Sequence, residues 1–215
     1  MTAAPPDRRT TKKEQREASV ARILDAALNG FLGRGYRSTT VEDIAAAAGL
    51  TKGAIYFYFE NKTAVFLALL DRIETLIIGG MKARVAAAGV SPLNQLVAVI
   101  HNQGALAENH SRELIVFTIA MAEFAGVDDP IERRLQQIYG QLCETIEGII
   151  VRGQACGDFH SHVSPGEFAS IIMALEHGTL LEWYFRGRSL NGPELVRAAR
   201  TILLEGVVRR PRRGD

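Results

Sequence analysis

The sequence predicts an all-α protein: a small N-terminal three-helix domain followed by a larger helical body. Three observations carry this. Apolar residues recur at i, i+3, i+4 and i+7 through nearly every segment, while few stretches alternate with period two. Pro92, Pro130, Pro165 and Pro193 each follow a polar or glycine-containing break, where a first-turn proline suits a helix. With 215 residues and 47% hydrophobic content, the chain can bury a sizeable core as one large domain or two smaller ones.

In chain order, residues 1–12 read as a disordered polar arm. A helix over about 13–34 places Val20, Ile23, Leu24, Ala27, Leu28, Phe31 and Leu32 on one face, and Gly33 and Gly35 stop it. Residues 39–62, T-T-V-E-D-I-A-A-A-A-G-L-T-K-G-A-I-Y-F-Y-F-E-N-K, read as two short helices around a glycine turn. Thr40 is the N-cap of the first, and Glu42 and Asp43 sit at the positive end of its dipole. Gly49 ends it where a left-handed backbone costs glycine little, and Thr51 caps the second helix, which carries Lys52 to Tyr58. The small apolar face of Val41, Ile44, Ala45 and Ala48 lets the second helix cross closely, as a helix-turn-helix requires. Ile55 and Phe59 belong to its core.

A long helix over about 63–88 follows, with Val65, Phe66, Leu69, Leu70, Ile73, Leu76 and Ile77 inward. Its Gly79-Gly80 pair costs about 1 kcal/mol per glycine relative to alanine, and marks either a bend or a packing site. Five more helices are expected at 91–109, 111–125, 128–155, 165–186 and 193–208, the second apolar almost all round and therefore buried. The domains read as 1–12 arm, 13–62 helix-turn-helix domain and 63–210 body.

Composition excludes several classes. A net charge of +1 rules out a polybasic binder, although residues up to Lys62 hold ten basic and seven acidic side chains. Cys143 and Cys156 stand too far apart along one helix to bridge, and read as free buried thiols in a reducing compartment. The leader has no apolar stretch, and no run approaches the roughly 20 apolar residues of a membrane span, so the expectation is a cytoplasmic protein. No G-x-S-x-G, phosphate-cradling glycine loop or H-E-x-x-H occurs, which speaks against an enzyme.

The segment over residues 22–69 resembles the N-terminal domain of the TetR family of bacterial transcriptional regulators. The match runs through Ile23-Leu24-Asp25-Ala26-Ala27-Leu28, Phe31, Gly35, Thr39-Thr40, Ile44-Ala45, Ala48-Gly49-Leu50, Thr51-Lys52-Gly53, Ile55-Tyr56, Tyr58-Phe59 and Lys62. The resemblance implies a homodimer that binds double-stranded palindromic operator DNA, most often as a repressor released by a small apolar or amphipathic ligand, with no cofactor. Position by position it brings Thr40, Thr51, Lys52, Gly53, Ala54, Tyr56, Phe57, Tyr58 and Lys62 to the duplex. Lys52 can reach a guanine edge, whereas Thr40, Tyr58 and Lys62 suit phosphates. Tyr56 is either at the duplex or a packed aromatic. Arg8, Arg9, Lys12 and Lys13 form a minor-groove arm or a solvated tail.

For the body, the resemblance implies a ligand cavity between the middle helices. Its candidate lining is Leu106, Phe117, Met121, Phe124, Tyr139, Leu142 and Trp183, with His101, Gln103 and His177 as polar anchors. It also implies a four-helix dimer interface from the last two helices. Phe168, Ile171, Ile172, Ala174, Leu175, Gly178, Leu195, Ala198 and Ile202 are its candidates. Asp158, His160 and His162 form D-F-H-S-H in a loop, a weak metal-ligand pattern with no third ligand set by spacing. A metal-responsive or activating regulator of the same fold is the alternative reading.

Overall fold

The computed structural model describes residues 11–207, which are mostly helical with no strand element among them. The chain divides into two compact units, residues 1–69 and 70–215. The expected arm lies outside the described residues, apart from Thr11 and Lys12. Thr11 begins the first helix instead, accepting from the Glu14 backbone N–H while Glu14 reaches back to its own.

The first unit holds α1 (Lys12–Ser38), α2 (Val41–Ala47), α3 (Lys52–Tyr58) and the start of α4 (Lys62–Ala87). Gly35, at φ 78° and ψ 167°, breaks the helical path of α1, while Gly33 stays helical. After α2, Gly49 at φ 65° lets the Gly49 and Leu50 N–H groups turn back onto the Ala46 and Ala45 carbonyls. Ile23, Leu28, Ile44, Ile55, Val65 and Leu69 fill the core, and Phe31, Tyr36 and Phe66 pack as an aromatic cluster beside it. Val65, Phe66 and Leu69 are all fully buried. The first turns of α4 therefore belong to the small unit, and the division falls after Leu69, seven residues beyond the boundary expected at Lys62. Phe59 is only half-buried, not core, because it has left the helix as the C-cap of α3.

The second unit contains the rest of α4, α5 (Pro92–Asn109), α6 (Ser111–Glu123), α7 (Pro130–Ala155), α8 (Pro165–Arg186) and α9 (Gly192–Val207). Ser91, Asp129 and Ser164 cap α5, α7 and α8, each with proline in the first turn. α4 runs unbroken through Gly79-Gly80. A Cβ on Gly80 would stand 3.0 Å from Asn102 Oδ1, so that glycine lets α5 approach, and the bend reading gives way to the packing one. Arg134 on α7 ties to α4 through Asp71 (2.7 Å) and Glu74 (2.5 Å), while Gln141 donates to Glu74 (2.8 Å). The Arg134 guanidinium holds the Glu74 carboxyl below its usual range. α6 is buried from Leu114 to Thr118, but Ile119 is exposed. The thiols are free: Cys143 is half-buried, and Cys156 is exposed at the C-cap of α7, against the expectation of two buried ones.

Candidate nucleic-acid interface and effector cavity

The surface of α3 presents Thr51, Lys52, Gly53, Tyr56 and Phe57 to solvent, with Ala54 and Tyr58 half-exposed. Thr51 sets the start of this helix by accepting from the Ala54 N–H (3.1 Å). Phe57 is 78% exposed, a large apolar side chain that meets the Tyr58 ring edge-on at 5.0 Å and otherwise faces solvent. A Cβ on Gly53 would meet nothing closer than Thr51 Oγ1 at 3.9 Å, so the small residue is not required by packing within the protein. Tyr56 is 47% exposed, with about half of its surface open to solvent.

Lys52 does not point freely outward. Its ammonium pairs with the Glu42 carboxylate on α2 and stands 5.8 Å from the centre of the Tyr56 ring. The pair raises the lysine above its ordinary pKa and lowers the glutamate, first through the hydrogen bond between them. Sequence reasoning missed Glu42 as a partner because the contact crosses the turn. Replacing Glu42 with glutamine frees the lysine and removes an anion from a surface that must approach phosphates. We expect operator affinity to rise about two- to tenfold at low salt. A titration showing unchanged or weaker affinity would count against Lys52 as a duplex contact.

Thr40 is exposed at the N-cap of α2, but its N–H and hydroxyl both donate to Asp43 Oδ2 (2.9 and 2.7 Å), with Arg34 3.3 Å from the same oxygen. A phosphate at this helix end competes with a carboxylate already seated there.

Lys62 departs furthest from its expected role. Its ammonium donates to the carbonyls of Tyr36 (2.8 Å), Thr39 (2.9 Å) and Arg37 (3.3 Å), and lies 4.3 Å from the centre of the Tyr36 ring. Three carbonyl acceptors use all three N–H donors. The structure therefore replaces the phosphate role with a structural one: Lys62 clamps the end of α1 onto the start of α4, and so sets the loop that leads into α2.

The second unit holds an open cleft-like cavity and a smaller pocket. The larger, about 550 Å³, lies between α5, α8 and α9, with His101, Gln103, Leu175, Leu180, Trp183 and Leu195 among its walls. The smaller, about 20 Å³, has room for roughly a water and is lined by Phe117, Leu142, Gln103 and His177 among others. Of the ten lining residues expected, Leu106, Met121, Phe124 and Tyr139 face neither. Leu106 and Phe124 are buried elsewhere in the core, and Tyr139 stacks on His177 at 5.9 Å. Burial pushes the His177 imidazole below its ordinary pKa and keeps it neutral. Glu176, passed over in the sequence, lines both cavities.

On α8, Phe168 and Ile172 are 8% and 1% exposed, so both belong to the monomer core and not to a dimer face. The outward line consists of Ile171 (66% exposed), Ala174, Gly178, Leu181 and Phe185 (89%), at helical spacing. On α9, Ala198 and Ile202 face out, the latter 68% exposed, whereas Leu195 and Leu175 turn toward the larger cavity. The His160 and His162 rings lie 5.0 Å apart, but among the described residues no three metal-ligating side chains converge. Among them, too, no helix is long and apolar enough to cross a membrane.

Comparison with known proteins places this geometry. Residues 23–69 match the profile of bacterial regulatory proteins of the tetR family, and residues 92–201 match the tetracyclin repressor-like C-terminal domain. The transcriptional repressor BepR of Brucella suis is 32% identical over 177 residues, covering 81% of this chain and 84% of that protein. The chain belongs to the TetR family. Among solved structures, the MbdR regulator from Azoarcus sp. CIB is 39% identical, with a TM-score of 0.80 over 89% of this chain and all of that one. FadR of Bacillus subtilis, solved in complex with stearoyl-CoA, shares the fold at 21% identity (TM-score 0.75; 86% of this chain, 98% of that one). As a TetR-family member, the protein is a DNA-binding transcriptional repressor and not an enzyme. The family binds operator DNA as dimers.

Proposed function

We propose that the protein represses transcription as a homodimer on a palindromic operator, reading it with the exposed face of α3, and that a small apolar or amphipathic effector entering the second unit releases it. The observation that carries the effector half is the cavity of about 550 Å³ between α5, α8 and α9, apolar along most of its wall. FadR of Bacillus subtilis, solved with stearoyl-CoA, is a precedent within the fold for a ligand-bound regulator. Thr51, Lys52, Gly53, Ala54, Tyr56, Phe57 and Tyr58 form the reading surface. Lys52 addresses base edges, and the Tyr58 hydroxyl addresses phosphate. Lys62 holds this surface in shape. Each recognition helix reads only a half-site, so two must be held about one DNA turn apart. The outward apolar line on α8 and α9 supports pairing through those helices. Footprinting on DNA upstream of the protein's own gene tests the reading, with protection expected over two half-sites about one turn apart. A folded dimer that protects no palindrome would overturn it.

A further inference from the structure

We propose that Glu176 is the selecting group of the effector site, placed to take the ammonium head of an apolar amine whose body fills the larger cavity. The inference rests on the effector reading above and adds the chemical class of the ligand.

Glu176 stands on α8 between the two cavities and lines both. Its Oε1 is fully buried with no hydrogen-bond donor. Such an acceptor is rare inside a protein and asks for an explanation. Three neighbouring polar groups are committed elsewhere. Thr118 Oγ1 donates to the Leu114 carbonyl (2.9 Å), Thr179 Oγ1 donates to the Leu175 carbonyl (2.6 Å), and His101 Nε2 lies 3.0 Å from Arg200 Nη1. No hydrogen bond of the protein reaches this oxygen, while the side chain that carries it borders the larger, largely apolar cavity.

Burial disfavours the charged form, and the carboxyl is pushed up to about 8, so at neutral pH it stands mostly as the acid. A hydroxyl ligand would satisfy one lone pair. An ammonium brings several donors and the countercharge that restores the carboxylate, which makes it the best match. A carboxylate ligand could accept the acid's one O–H, but it would bring an anion into this largely apolar space without a countercharge. The other charged groups facing this space nearly balance: Glu108 and His101 come from α5, Arg197 from α9, and on α8 His177 is held neutral. Arg197 is 64% exposed, so solvent screens it. In the binding step the amine arrives protonated, Glu176 gives its proton to solvent, and the two charges pair with no covalent change.

The test is calorimetry on the full-length protein at pH 7 with a matched set: phenylbutylamine, phenylbutanol and phenylbutanoate. We expect the amine to bind at least tenfold tighter than either relative. We also expect repetition in buffers of different ionisation enthalpy to show release of most of one proton for the amine and none for the alcohol. In Glu176→Gln the preference should fall to within about twofold. The proton count on the unmodified protein stands even if that variant folds poorly. Equal binding of all three without proton release overturns the role of Glu176 and leaves the cavity reading intact. Absence of binding by any of them overturns both.

Discussion

Replacing Ile171 and Ile202 together with aspartate is expected to give a folded monomer that binds its operator at least a hundredfold more weakly. Both side chains are about two-thirds exposed in the single chain, so the substitutions remove nothing from its core. In the proposed dimer each residue meets its own symmetry mate or a near neighbour, so one substitution places like charges twice in an apolar seam. Losing the partner leaves one recognition helix on one half-site. The second half-site then binds without the effective concentration that linkage provides, a loss of 10² to 10⁴ by general experience with linked binding. Sedimentation and a gel-shift titration together check the result. A variant that remains dimeric, or a monomer that still binds at wild-type affinity, would move the interface away from α8 and α9.

Replacing Lys62 with methionine is expected to destabilise the first unit by about 2–3 kcal/mol. It removes charge-assisted hydrogen bonds worth about 1.5–3 kcal/mol singly when well buried, and these are only partly so. It also removes a cation over Tyr36 worth about 0.5–1 kcal/mol. Methionine keeps most of the stem, so the loss isolates the ammonium. The carbonyls of Tyr36, Arg37 and Thr39 lose their common donor, and the chain entering α2 loosens. Operator binding should weaken for all sequences alike, with an unchanged salt slope. A lysine on a phosphate would behave differently, and its removal would lower the magnitude of the slope by about one. Thermal melting and binding titrations at several salt concentrations separate the two. A stable variant with the lower slope would restore the phosphate role.

The contrast shows where sequence reasoning works in this chain. The helix ends inside the helix-turn-helix were legible, because caps are local chemistry. Thr40 and Thr51 each accept from a backbone N–H three residues on, and Gly49 takes the left-handed turn that only its own φ decides. Capping needs no knowledge of the rest of the fold, so it could be read from spacing. The helix-turn-helix was legible for the same reason, with its small residues on one face and its polar and aromatic residues on the other.

Contacts between residues far apart in the chain were not legible. Lys62 and Tyr36 are 26 residues apart, and only the docking of α1 on α4 shows that the lysine closes on backbone instead of reaching outward. Phe168 and Ile171 sit on one helix three residues apart, yet one is buried in the monomer and the other is two-thirds exposed. Periodicity names an apolar face but cannot say how much of its breadth neighbouring helices cover. Glu176 is the clearest case. In the sequence it is one glutamate beside a histidine, and only the packing of α5, α8 and α9 leaves one of its oxygens dry and its side chain beside a cavity. By itself the sequence determined the helices, the caps around the glycine turn and the family's DNA-reading stretch, because those depend on neighbours within a few residues. The tertiary structure alone decided which side chains are committed and which remain available, because burial and partnership are set by whatever the fold brings alongside.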